Sequence, residues 1–532
     1  MKKFTAAIVL LGVIASAALV VAQDDKKSDP PKKPKGKFTV GKETTYVTGP
    51  VGKDGYIDFA AALNERFKHG VTPENNANIL IWKTLGPHPE KVTMPPEFFK
   101  LMGIDSPPEN GDYFVDIHDF AAERLQIAPG PEMEKIYQQS YLATQRPWKA
   151  ETYPNLAAWL KANEKPLAVL AEATKRTQYF SPLVTKTTDK GSSGLLGALL
   201  LAVQKTRGLA NVVLARAMLR IEQGAVNDAW RDLQMCHRLG RLVGRGGTLI
   251  EALVGIAIDN PASNGDLVFL DRTKPDAKTL ANCMGDLRDL PPMGSVADKV
   301  DFGERFFLLD TIMMVDRHGM KYLESLSGGA PQEANAIAES VLEGVNWDTA
   351  LRTANGWYDR LAKAMRDKDP ETRRQQLRGL DKELRELRAD VTDPGTLSQL
   401  VVGEAKDRDK IIGDLLITLL LPAVMKVQDA ADRAQQTQAN VVVAYALASY
   451  HRDQGRYPPD LAPLSPKYVS EVPQDLFSSK PLVYRPSENG YLLYSVGMNG
   501  KDDGGRGQED EPRGDDIVVR VPLPELKVQW SK

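Results

Sequence analysis

The sequence predicts a mainly α fold closed by a small α+β module, on three observations. Apolar residues recur at spacings of three and four through most of the region 41–395. Proline and glycine stand where helices would start and stop. Towards the C-terminus the pattern changes to short apolar runs, PLVYR, YLLYSV and IVVRV, separated by loops rich in Gly, Asp and Pro, which predicts strands.

A chain of 532 residues is too long for one ordinary core and implies about two to four domains. The formal net charge of −2 provides no basic field, which argues against nucleic acid as a ligand. At the N-terminus, Lys2 and Lys3 precede an apolar run from Phe4 to Ala22 that ends in small residues. This predicts a secretory signal over 1–22, removed on maturation, and an extracytoplasmic protein, periplasmic or secreted. The run also approaches bilayer-spanning length, so an uncleaved N-terminal anchor is the alternative and the one membrane contact expected. Residues 23–40 are rich in Lys, Asp and Pro, cannot bury a core, and read as a disordered tether. Cys236 and Cys283 are the only cysteines, either one disulfide or two buried thiols.

A helical body is predicted over 41–395, as one domain or two. Its first helix, in the run AALNERF, is stopped by Gly70. Thr72-Pro73-Glu74 reads as cap, N1 proline and acidic first turn of the next helix, which Gly86-Pro87 ends. Pro154 and Pro166 open a helical pair. Helices at about 209–222 and 226–242 flank Gly224, a hairpin that resembles a single tetratricopeptide unit. Gly240 and Gly244 on it predict close helix packing. Glu304 to Val315 reads as a buried helix, and Leu377, Leu380, Leu384 and Leu387 form a narrow seam on a charged one. Asp393-Pro394-Gly395 marks a domain boundary. The phrase GYIDFAAALNERFKHGVTPENNANILIWKTLGP is similar to the opening of a family of exported bacterial proteins, a resemblance that supplies no activity.

A final domain is predicted over 403–532. Leu420, Val424, Val427, Ala431, Ala434, Val441, Tyr445 and Ala448 mark one face of a long helix that Pro422 would kink. Three strands follow. The phrases ALASYHRDQGRYPPDL, VPQDLFSSKPLVYR and GYLLYSVGMNGKDDGG, ending in DDIVV, resemble in that order the head of a type II secretion major pseudopilin (protein G-like). The resemblance implies one helix on an antiparallel sheet, and calcium in the loop before the last strand. By that resemblance Asn499 and Asp516 are side-chain ligands, and Asp502 and Asp503 add carboxylates; calcium takes about six to eight oxygen ligands. Asn499 stands where the family has an acid, and Gly514 where another is usual. A solvated acidic loop accounts for the same residues. The family's N-terminal processing site has no counterpart before the internal helix, which points to a soluble head rather than an assembled pseudopilus.

No phosphate loop, dinucleotide fingerprint, HExxH motif or nucleophile elbow occurs. Asp112, Asp116, His118 and Asp119 form the densest ligand-like group, with Asp116 and His118 expected on one side of a strand or in a polar loop. Cys236 and His237, adjacent on a helix, should point in different directions. Arg513-Gly514-Asp515 matches a cell-adhesion triplet at a length that chance supplies. The expectation is therefore a non-enzymatic extracytoplasmic scaffold or interaction protein, with envelope or secretion-related partners. The alternatives are a hydrolase-class enzyme with a pocket in the helical body, and a membrane-anchored secretion component.

Overall fold

The computed structural model describes residues 38–185, 187–188, 191–192, 194–198, 201–319, 322, 341–342 and 344–526. The leader at 1–22 and residues 23–37 of the Lys/Pro-rich stretch lie outside them. The architecture is mainly helical, with a three-stranded antiparallel sheet near the C-terminal end.

Side-chain caps set several helix starts and prolines others. Helix α1 (Phe59–Lys68) begins where Asp58 accepts the Ala61 N–H. Helix α2 (Ala77–Leu85) begins at Asn76, which accepts from Asn78, and ends at Gly86 with φ +84°. The start expected at Thr72 is a turn instead. Asn75 accepts the Thr72 N–H there, a local side-chain bond that competes with helix. Helices α3 (Pro131–Gln145), α4 (Pro154–Ala162) and α5 (Glu164–Ala173) follow. Helices α6 (Leu201–Glu222) and α7 (Val226–Val243) form a hairpin around Gly224, and α8 (Leu249–Thr273) lies against both. Helices α7 and α8 cross at backbone contact. A Cβ on Gly240 would stand 2.8 Å from the Gly255 carbonyl oxygen, and one on Gly255 would stand 2.6 Å from the Gly244 Cα.

Helices α9 (Ala277–Arg288), α10 (Arg305–His318) and α11 (Trp347–Met365) lead to α12 (Pro370–Val391), whose Leu377, Leu380 and Leu384 are buried. Asp393 stops α12 and caps α13 (Pro394–Val402) by accepting the Gly395 and Thr396 N–H groups. The long amphipathic stretch is two helices, α14 (Ala405–Leu420) and α15 (Pro422–Gln454), because Pro422 has no N–H to give the Thr418 carbonyl. Gly455, at φ +71°, ends α15 in a left-handed conformation suited to glycine. Among the described residues no helix is long and apolar enough to cross a membrane.

Strands β1 (Val483–Ser487), β2 (Gly490–Ser495) and β3 (Ile517–Val521) pair antiparallel in the order β1-β2-β3. Tyr484 lies opposite Leu493, and Leu493 opposite Val519. Buried Leu493 and Val519 turn the sheet's apolar face towards α15.

Two large apolar cores result, beside two small clusters, and α15 belongs to both large ones. Residues Val424 and Val427 pack with α1, α10, α11, α12 and α14. Residues Val441 to Leu447 pack with α2 to α9 and with the sheet. Tyr445 is fully buried there, its hydroxyl donating to the Asp266 carbonyl at 3.0 Å and its ring 5.9 Å from that of Trp230. The described chain starts as a strap docked on α11. Thr39 donates its N–H to Asp348 at 2.6 Å, and Asn355 donates to the carbonyls of Glu43 and Thr44. Cys236 and Cys283 are buried free thiols.

Candidate functional site

The loop between β2 and β3 gathers the acidic residues. Gly504 and Gly505 sit at φ +77° and +80°, and that left-handed turn aims the Gly505 N–H at Asp516 Oδ2, 2.7 Å away. Asp516 is 1% exposed, and Asp503 adds a longer N–H contact of 3.4 Å. Carboxylate oxygens of Asp503, Asp515 and Asp516 all lie within 4.8 Å of one another. Asp515 Oδ2 accepts the Asn499 N–H at 2.9 Å, while its buried Oδ1 has no hydrogen-bond partner among the described residues.

Burial pushes the Asp516 carboxyl above the usual carboxylate range, against the two N–H donors and with help from the charges of Asp503 and Asp502. Asp503 is held below that range by the Asp515 N–H and the Asn499 amide. Crowded carboxylates of this kind favour either a proton or a cation between them.

Of the four residues expected from sequence, the structure brings Asp503 and Asp516 together. Asn499 borders them, its amide donating to Asp503 Oδ2 at 3.1 Å, with its own oxygen accepting the Lys501 N–H. Asp502 turns to the sheet, where it accepts the Tyr494 hydroxyl at 2.9 Å and the Gly504 N–H at 2.7 Å. The residue that sequence reasoning missed is Asp515, which was seen only within the Arg-Gly-Asp triplet. Its place beside Asp516, immediately before the last strand, was the available signal.

A second charged cluster lies in the core. His237 on α7 is fully buried between two carboxylates of α8: Nδ1 is 2.8 Å from Asp259 Oδ1, and Nε2 is 2.9 Å from Asp266 Oδ2. Arg241, one turn further along α7, holds both oxygens of Asp259 at 3.0 and 3.1 Å. Burial alone would lower the pKa of His237, but Asp266 and Asp259 outweigh it and hold it up at about 10. The imidazolium therefore donates from both nitrogens. Asp259 stays below its ordinary value in spite of burial, because His237 and Arg241 face it. Asp266 is raised by burial, with His237 as its one opposing cation. With His237, Asp259 and Asp266 at most 1% exposed, no substrate reaches this cluster, and its chemistry is that of a buried ion network. Cys236 points the other way, its thiol towards the Ala210 carbonyl.

His118 lies in a short helix, Ile117–Asp119, with Asp116 as its N-cap, and neither lies on a strand. The reason is the Asp116 side chain, which accepts the Asp119 N–H at 3.0 Å and so caps a helical turn. Burial opposes its charge, but the Lys205 ammonium at 2.6 Å and the N–H donors prevail and keep the carboxyl low. Asp116, His118 and Asp119 are close enough to share a metal, with His118 exposed and Asp116 already paired. Asp112 is tied instead to Lys165 at 2.9 Å. No known family model, no curated protein and no solved structure matches this chain.

Proposed function

We propose that the protein is a non-enzymatic extracytoplasmic scaffold that presents a pseudopilin-like head to envelope or secretion-related partners. The observation that carries this reading is the sharing of α15 between both cores. A helix anchored along its length fixes the sheet relative to the helical body, which suits presentation of a surface rather than a mobile tethered domain. The end of β1 offers that surface: Arg485, Pro486 and Ser487 are exposed. A photo-cross-linking residue placed at Ser487 of the full-length protein in cells should capture distinct envelope proteins, at levels well above the same probe at exposed Glu383. Equal labelling at both positions, or none at Ser487, would count against the proposal.

The same reading gives the acidic loop a calcium ion. Asp503, Asp515 and Asp516 would supply side-chain oxygens, and the ion would relieve their mutual repulsion. The mature chain should melt at a higher temperature in calcium than in chelator. A ligand at 100 times its Kd adds about 2.7 kcal/mol to the folded state. Asp515→Asn, which spares the N–H contacts that hold Asp516, should abolish the shift. A calcium shift that persists in that variant would move the ion elsewhere, and no shift in a folded wild type would remove the metal.

A further inference from the structure

We infer that a cleft of about 320 Å³ between α3, α6 and α8 binds a carboxylate attached next to an amide N–H and a flat apolar group. A peptide's C-terminal residue and a free N-acylated aromatic amino acid share this chemistry. The cleft shares no residue with the acidic loop's carboxylate cluster. Its volume is at the lower end of the range for small-ligand sites, about 300–1,000 Å³.

Three features of the lining converge on that ligand. The first is a cation without a counter-charge. Arg207 and Asn211, one turn apart on α6, both line the cleft and are exposed, and among the described residues neither has a hydrogen-bonding or ion-pair partner. The other charges at the rim cancel: Asp116 is held by Lys205 at 2.6 Å. Arg207 is thus left to offer its planar fork to an incoming carboxylate, with the Asn211 amide beside it.

The second is a backbone acceptor. Pro261 lies inside α8 and has no N–H to give the Ala257 carbonyl, and both residues line the cleft. A helix interior ordinarily consumes its carbonyls; this one lacks its i+4 donor, and because both residues line the cleft it is the backbone acceptor we assign to a ligand amide N–H.

The third is an apolar wall. Tyr141 on α3 is 53% exposed, and Phe114 and Trp159 also line the cleft. The Trp159 indole N–H is already taken by the Val115 carbonyl at 2.8 Å, so the ring faces the cleft as apolar surface only. A large exposed ring beside a cation and two amide-type groups is the composition that marks small-molecule sites, and it would place a flat side chain against Tyr141.

The test uses the full mature chain and calorimetric titration with N-acetyl-phenylalanine, its amide, and acetyl-Ala-Ala-Phe with a free C-terminus. The acid should bind at least about tenfold more tightly than the amide, the difference expected for a hydrogen bond to a charged group. Arg207→Gln, an exposed substitution, should remove that preference. Pro261→Ala returns an N–H to the helix and should weaken the acid several-fold without harming the fold, while N-methylation of the ligand should cost nothing further in that variant. Tighter binding of the tripeptide would identify a peptide terminus, and equal or weaker binding a free small molecule. Equal affinity for acid and amide, no heat from either with a folded chain, or an unchanged preference in Arg207→Gln would each overturn the inference.

Discussion

Replacing His237 by Gln should cost about 3–5 kcal/mol of folding stability at neutral pH, the range found when one partner of a buried ion pair is removed. Asp259 would keep Arg241, both of whose contacts are near 3 Å. Asp266 would keep nothing of comparable strength, since its cation is His237 and its Oδ1 already lacks a hydrogen-bond partner among the described residues. A second change, Asp266→Asn, should therefore recover part of the loss, with a coupling of about 1–3 kcal/mol in a double-mutant cycle by chemical denaturation. The pH dependence has a definite sign. The folded pKa of His237, about 10, lies above its unfolded value of about 6.5. The contribution is complete below pH ~6.5 and is lost as pH rises through about 10. Lys299 runs the other way: burial lowers it to about 8, against the attraction of Glu251, so its penalty is relieved as pH rises above that value. The informative quantity is therefore the difference between wild type and His237→Gln, which should be greatest near pH ~6.5, already be falling at neutrality, and shrink further towards pH 10. A difference below about 1 kcal/mol at pH 7, or one that does not vary with pH, would mean that the network carries little stability.

How far the sequence could be read follows from the range of the interactions involved. The turn at Gly224, the stops at Gly86 and Gly455 and the three strands depend on neighbours a few residues away, and all are legible in local pattern. The start of α2 was misplaced by a few residues because Asn75 and Asn76 offered competing local bonds that Thr72-Pro73-Glu74 did not reveal. The His237 cluster is a different case, since its partners come from the next helix, 22 and 29 residues away. A signal did exist: α8 carries Asp259 and Asp266 at positions i and i+7, each beside an apolar run (GIAI and LVFL). Two acids on one face of a buried helix require a cation from a neighbour. The cleft beside Arg207 was illegible for a similar reason, because its three helices meet only in the folded chain. Pro261, inside an evident helix, was its one local mark.

The second large effect concerns whether the head is separable. Tyr445→Ala should cost about 3–5 kcal/mol, as large aromatic truncations in cores do. Tyr445→Phe, which removes only the bond to the Asp266 carbonyl, should cost about 1 kcal/mol. More informative than the size is what unfolds with it. Tyr445 lies on the helix that carries the sheet, yet its ring meets Trp230 of α7 and its hydroxyl meets α8. If body and module form one cooperative unit, denaturation followed by helical circular dichroism and by hydrogen exchange in β2 should shift together and by the same amount in Tyr445→Ala. If the module folds alone, exchange in β2 should keep its wild-type protection while the helical signal moves. A fragment beginning near residue 403 would expose the whole face of α15 that now lies against α8 and α9, including Val441, Tyr445 and Leu447. Because that face is apolar and fully buried in the intact chain, the sheet is held by the body's core as much as by its own. Coincident transitions are the outcome this packing requires.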